Sequence, residues 1–301
     1  MRALGNYIMR GRLQAVAVIT LLALISLILP PFAYLLSGVP VGLVVLSRGA
    51  LIGIQIIIGS LFAMELFALI AQIPPQVSIA LAIVVWVPVW LCAITLRSTG
   101  SQGVMVLVAG MIGIVFIVTM YLGTDDVAAW WQHWLVAWID SALPAETGLQ
   151  YKQVLEPVMP LLNAMMAAGL VLSMVLTMFI ARWWQARLFN PGGFMKEFMS
   201  LHLHRMLLLP AALGFLIMML SNEPMHSLLR DCLVIIVFLY MFHGIAMVHK
   251  IVKRRNLPGI WLFWMYFMLL VVPQSVLFLA CFGIADSLMT RYYSTGSSNN
   301  V

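Results

Sequence analysis

The chain has 301 residues, of which 63% are hydrophobic and 9% charged, and a formal net charge of +6. Soluble domains carry about 25% charged and roughly 45–50% apolar residues, so a water-soluble fold is excluded: it would have nowhere to hide this much apolar surface. The positive balance does not point to nucleic acid, because Lys and Arg gather in the cytoplasmic loops of membrane proteins.

Apolar runs of about 20 residues recur, each long enough for a hydrocarbon core of roughly 30 Å. They lack period-two alternation, so the backbone in lipid must satisfy itself as helix. The predicted fold is all-α: one polytopic integral membrane bundle of eight or nine transmembrane segments with interfacial amphipathic helices. Arg2, Arg10 and Arg12 precede the first run, 13–36, which is too long for a signal sequence and has no small-residue cleavage site after it, so it reads as a retained span. The run 39–48 would be only about 15 Å long as a helix. It is either a half-span or the start of a helix that bends at Arg48-Gly49. Gly38-x-x-x-Gly42 and Gly49-x-x-x-Gly53 would let helix backbones approach closely. Spans follow at 50–71, 76–96 and 103–122. Pro30-Pro31, Pro88, Pro210 and Pro273 lie inside apolar runs, where each removes a backbone donor and predicts a kink.

An outer segment, 123–158, places Trp130, Trp134 and Trp138 on one helical face, with Trp131 flanking it. Such a face either presses into the outer leaflet or forms an aromatic platform for a sugar or quaternary ammonium group. After the span 159–182 comes Arg182–Arg205, which reads as an elbow on the inner surface. Trp183 and Trp184 sit at the headgroup level, Asn190-Pro191-Gly192-Gly193 turns the chain, and an amphipathic helix carries Phe194 and Phe198 opposite Lys196. The elbow is either a membrane-surface helix or a docking face for a cytoplasmic partner. Spans at 206–220, 228–249 and 259–285 and a polar, flexible tail at 287–301 complete the chain.

Charge gives the orientation. With the N-terminus inside, inner connections hold 13 of the 16 basic residues, while Asp125, Asp126, Asp140, Glu146, Glu156, Glu223 and Asp231 fall outside. This alternation needs 39–48 to count as a crossing. The elbow also carries a resemblance. Trp183-Trp184-Gln185, Asn190-Pro191-Gly192-Gly193-Phe194 and Glu197-Phe198, with Gly38-Val39-Pro40-Val41-Gly42-Leu43 and Arg48-Gly49, resemble the YybS-like family of bacterial membrane proteins. The resemblance implies a bacterial inner-membrane protein of eight or nine spans and no particular activity. The front half is distantly similar to the substrate-binding subunits of energy-coupling-factor transporters, which implies a transport setting but assigns no ligand residue.

Glu65 is the leading single residue. A lone carboxylate inside a span should find a partner or a proton, and Arg230 and His226 are at the same predicted level. Gln55, His243 and Gln274 are further candidates for a cavity, or each is satisfied by one interhelical hydrogen bond. No His-Glu-x-x-His, Gly-x-Ser-x-Gly, phosphate-binding glycine loop or paired CxxC occurs, and Cys92, Cys232 and Cys281 read as packing residues. The sequence therefore predicts no enzyme, no metal and no cofactor. It leaves two function classes: a transport component that binds a small molecule or lipid between kinked helices, with Glu65 near its outer mouth, or a membrane scaffold that docks a protein partner on its basic inner face.

Overall fold

The computed structural model describes residues 2–29 and 32–295, the side chains of 145, 146 and 290–295 excepted; the predicted kink at Pro30-Pro31 and the last six residues lie outside that range. Every element among the described residues is helical. In chain order they are α1 (Arg2–Ile8), α2 (Arg12–Ile28), a wide π turn (Tyr34–Gly38) running into α3 (Val39–Arg48), α4 (Ala50–Ala71), and α5 (Pro75–Leu81), joined by a second π turn (Ala82–Trp86) to α6 (Val87–Thr99). Then come α7 (Gln102–Gly123), α8 (Val127–Ala142), α9 (Ala145–Leu155), a 3-10 stretch (Glu156–Leu161), α10 (Leu162–Phe189), α11 (Gly193–Met199), a 3-10 turn (Arg205–Leu207), α12 (Leu208–Leu220), α13 (Met225–Arg254), α14 (Ile260–Val271) and α15 (Ser275–Thr295). The chain stays helical to Thr295, well into the predicted tail.

Five helices are long and apolar enough to cross a membrane: Ala50–Ala71, Pro75–Thr99, Gln102–Gly123, Thr147–Phe189 and Met225–Arg254. Shorter apolar helices cover the remaining predicted spans. The short predicted segment 39–48 is the centre of the molecule: Val39–Leu46 are all buried, between α6 and α10 on one side and α4 on the other. Small residues make this possible. A Cβ on Gly42 would stand 3.0 Å from that of Ala181, and one on Gly38 would stand 3.1 Å from Thr177. Gly49 reverses the chain between α3 and α4 at a φ of +97°, which only glycine takes readily.

The prolines act in different ways. Pro88 has no N–H, so the carbonyl of Val84, one turn earlier, loses its helical donor. The hydroxyl of Tyr34 donates to that carbonyl, and Trp86 Nε1–H donates to Ser37 Oγ at 3.1 Å. The two π turns are thus tied to each other across the helix pair. Tyr34→Phe should cost about 1 kcal/mol, the worth of one such bond, read as a small drop in melting temperature in detergent; no change would show the carbonyl satisfied elsewhere. Pro210 lies in the first turn of α12, where its missing donor has no helical partner to lose, so it does not kink the helix.

Pro273 corrects the predicted last span. It pushes Val272 out of helical geometry and splits 259–285 into α14 and α15. The second of these is the one packed along the bundle, antiparallel to α13: Gly244 lies against the Leu279 carbonyl and Gly283 against the Tyr240 carbonyl. Continuing that register places Ser275 opposite Val248. Helix α14 therefore stays near the C-terminal end of α13, where His249 Nε2 meets the Tyr266 hydroxyl at 2.8 Å. None of its residues is buried.

Candidate functional site

Four helices meet around one carboxylate. Asp231, two turns into α13, is fully buried (0% exposed). A carboxylate so placed costs several kcal/mol unless its charge and lone pairs are met. Here both oxygens are supplied. Oδ1 accepts from Arg230 Nε at 3.2 Å and Nη2 at 3.0 Å, and Arg230 Nη2 also donates to the Pro160 carbonyl at 2.6 Å. Oδ2 accepts from Asn163 Nδ2 at 2.9 Å and from the Tyr121 hydroxyl at 3.2 Å. The Asn163 Oδ1 in turn accepts from Trp131 Nε1 at 3.2 Å. The chain of donors runs from α8 through α10 to α13, with α7 joining from the side.

Over this network lies a cavity of about 480 Å³, lined by Tyr121, Asp125, Asp126, Asn163, Glu223 and Arg230 among others. Asp126 caps α8 by accepting from the Ala129 N–H at 2.9 Å, which fixes its carboxylate at the mouth. Glu223 accepts from the Ser227 hydroxyl at 2.7 Å. Because Asp231 matches the charge of Arg230, the carboxylates of Asp125, Asp126 and Glu223 leave the cavity with surplus negative charge. Among the described residues no three His, Cys, Asp or Glu side chains gather closely enough to hold a metal ion. The arrangement can attract and orient a small cation by charge and hydrogen bonding.

The structure divides the residues singled out in the sequence. Arg230 is in the site. His226 sits nearby, but its Nδ1 faces the Met218 carbonyl at 3.1 Å and it does not line the cavity. Glu65 is not brought to either of them: α4 packs against α2, α3, α5 and α6, and the Glu65 Oε1 is buried there with no hydrogen bond among the described residues. Gln55 is exposed on the outside of α4 and Gln274 is exposed in the turn between α14 and α15; neither lines the cavity over Asp231. His243, itself buried, belongs to a separate pair. Its Nδ1 accepts the Leu203 N–H at 3.4 Å, leaving Nε2–H to donate to Asp286 Oδ2 at 3.0 Å. The Ser287 hydroxyl donates to the Leu203 carbonyl at 2.9 Å, so this pair clasps the 200–204 connection to α13 and α15.

The elbow is built differently from the expectation. The Phe198 ring is only 7% exposed, stacked on Phe194 and edge-on to Phe179 and His249, so the apolar face of α11 packs on the chain's own α10 and α13. Trp184 is buried beside Gly5 of α1, while Trp183 is half-buried with the Arg187 guanidinium 5.3 Å over its ring. Lys196 alone of this set is exposed. A salt bridge holds the corner: Arg182 Nε and Nη2 reach Glu197 at 2.8 and 2.5 Å. Trp130, Trp134 and Trp138 are 43–56% exposed along one face of α8, so the shared face that the sequence pattern predicts is open.

Asp231, Asn163, Tyr121 and Asp286 escaped the sequence reading. Asp231 counted there only as a marker of the outer side. The signal that could have found it is the adjacent Arg230-Asp231 pair followed immediately by an apolar run: a charge leading into a span needs its counter-charge close by. No family model, curated protein or solved structure matches the chain.

Proposed function

We propose that this is a multi-pass protein of a bacterial inner membrane, its N-terminus cytoplasmic, that serves as a solute-binding component of transport, with the Asp231 cavity open to the outer side. The observation that carries the reading is a fully buried carboxylate, Asp231, whose hydrogen-bond partners Tyr121, Asn163 and Arg230 line a cavity bordered by three further carboxylates. Ionisable groups inside membrane segments are retained at a cost and cluster at substrate or ion paths. The charge distribution supports the orientation. Asp231 and Lys250 lie on the same helix, 19 residues apart, which is about 28 Å along its axis, close to the thickness of a hydrocarbon core. Acid groups cluster at the first end and Lys250, Lys253, Arg254 and Arg255 at the other. In this reading nine segments cross, with the Tyr34–Arg48 and Arg205–Leu220 helices as short ones and α15 as the last; the YybS-like resemblance fits the same layout. Inward packing of Phe198 and Trp184 favours transport over a scaffold that docks partners through those rings.

The surplus of carboxylates favours a small polar cation, such as a primary amine, as the bound solute. Small amines and small carboxylates of equal size, screened for thermal stabilisation of the detergent-purified protein, test this. Amines should raise the melting temperature of the wild type and not of an Asp126→Asn/Glu223→Gln double variant. Stabilisation by carboxylates instead, or equal stabilisation of both proteins, contradicts the reading.

A further inference from the structure

At the other end of α13 the chain builds a second, unrelated site. Lys196 and Ser200 from the α11 corner and Lys250, Lys253 and Arg254 from the last turns of α13 surround an open pocket of about 370 Å³. No carboxylate lines it. None of these four cations is in a salt bridge among the described residues. The C-terminal end of α13 supplies only about half a negative charge against them. Four unneutralised cations on two elements far apart in sequence repel one another, and an anion would relieve that repulsion.

The pocket does not end at the cations. Past Met199 and Lys253, which it shares, a groove of about 480 Å³ continues between Met195, Val252, Leu257 and Leu262, with His249 at its side. The groove is mostly apolar, with Asn256 also at its side, and Leu262 brings α14 to its far end. That helix exposes Trp261, Phe263 and Trp264 by 48–58%, the aromatic composition that settles at the headgroup level of a bilayer. A soluble anion would use the cations and ignore the groove. A molecule with a negative head and an apolar tail uses both.

We propose that this site binds one anionic phospholipid, its phosphate held by Lys196, Lys250, Lys253 and Arg254 and an acyl chain laid in the groove of Met195, Met199, Val252, Leu257 and Leu262. The flexible thioethers of Met195 and Met199 suit a chain of variable shape. Basic clusters at the inner side of membrane helices attract anionic headgroups; here the second element, α11, closes them into a pocket. The site rests on the membrane reading but not on the cavity at the opposite end of α13.

Native mass spectrometry of the detergent-purified full chain tests it, using dioleoyl phosphatidylglycerol and dioleoyl phosphatidylcholine as probes. One phosphatidylglycerol should be retained at about tenfold lower concentration than phosphatidylcholine. Lys250→Gln/Lys253→Gln should erase that preference, and Lys250→Arg/Lys253→Arg should keep it. These side chains are exposed, so an unchanged melting curve verifies that the variants fold. Equal retention of the two lipids, or a preference that survives the Gln variant, overturns the proposal. Displacement of the lipid by excess inorganic phosphate also overturns it, by showing a site for a free anion. The Asp126→Asn/Glu223→Gln variant should retain phosphatidylglycerol like the wild type, which separates this result from any failure of the outer cavity. Monodispersity without detergent would instead strike at the membrane reading on which both rest.

Discussion

Asp231→Ala is expected to lower stability by about 3–5 kcal/mol, the cost of breaking a buried ion pair by removing one partner. Three groups lose their acceptor at once: the Arg230 guanidinium, the Asn163 amide and the Tyr121 hydroxyl. The losses do not add, because all three share one carboxylate. Arg230 can turn toward the cavity it lines, which places the effect nearer the lower limit. For a chain of this size each kcal/mol shifts the melting temperature by about 2–4 °C, so a fall of roughly 6–12 °C is expected in detergent. Replacing the pair together, Arg230→Met with Asp231→Leu, should recover much of it, since the apolar pair leaves no stranded charge. A single Asp231→Ala variant that melts within about 2 °C of the wild type would mean that the network contributes little.

Gly244→Ala should be as damaging for a different reason. A Cβ at Gly244 would overlap the Leu279 carbonyl oxygen, and one at Gly283 would overlap that of Tyr240. The obstructing atoms are backbone in both cases, so no rotamer change relieves the clash; α13 and α15 must separate. Overpacking a tight contact costs about 1–3 kcal/mol, and a rigid backbone neighbour places this at the upper end or beyond. Separation would also pull Asp286 from His243 and Ser287 from Leu203, so the 200–204 connection should become protease-sensitive. Gly169→Ala is the control. It sits in α10 with nothing within 4 Å of an added Cβ, and the change should be neutral or stabilise by up to about 1 kcal/mol. Equal melting temperatures for the two variants would contradict the close approach of α13 and α15.

Much of the architecture was readable from composition and periodicity, because long unbroken apolar runs form helices whose ends are marked by turn residues. The span predicted at 50–71 coincides with α4, whose start is fixed by Gly49, and 103–122 lies within one residue of α7 at either end. Both have the simplest signal a sequence offers, an unbroken apolar run between turn residues. The prediction of 259–285 as one span failed because hydropathy does not register the direction of a helix. Pro273 marked the break, but only the glycine contacts of α13 show that α15 alone lies along the bundle. The candidate site was less legible still. Asp231 is joined to Asn163 and Tyr121, which are 68 and 110 positions away in the chain, and no local pattern records such partnerships. Glu65 attracted attention as an isolated acid, yet its surroundings on α4 bring it no cation among the described residues. Phe198 and Lys196 share α11, and the amphipathic pattern placed them on opposite faces. That pattern does not say whether the apolar face meets lipid or the protein's own helices. Phe179 and His249 supply the answer.

Two sites lie at opposite ends of α13, and the proposed orientation places the acidic cavity outside and the basic pocket inside. Labelling with a membrane-impermeant maleimide tests this most directly, using single cysteines at Asp125→Cys and Lys253→Cys in a chain whose Cys92, Cys232 and Cys281 are replaced by alanine. In intact cells the cysteine at 125 should label and the one at 253 should label only after permeabilisation. Labelling of both, or of neither, before permeabilisation would contradict the arrangement.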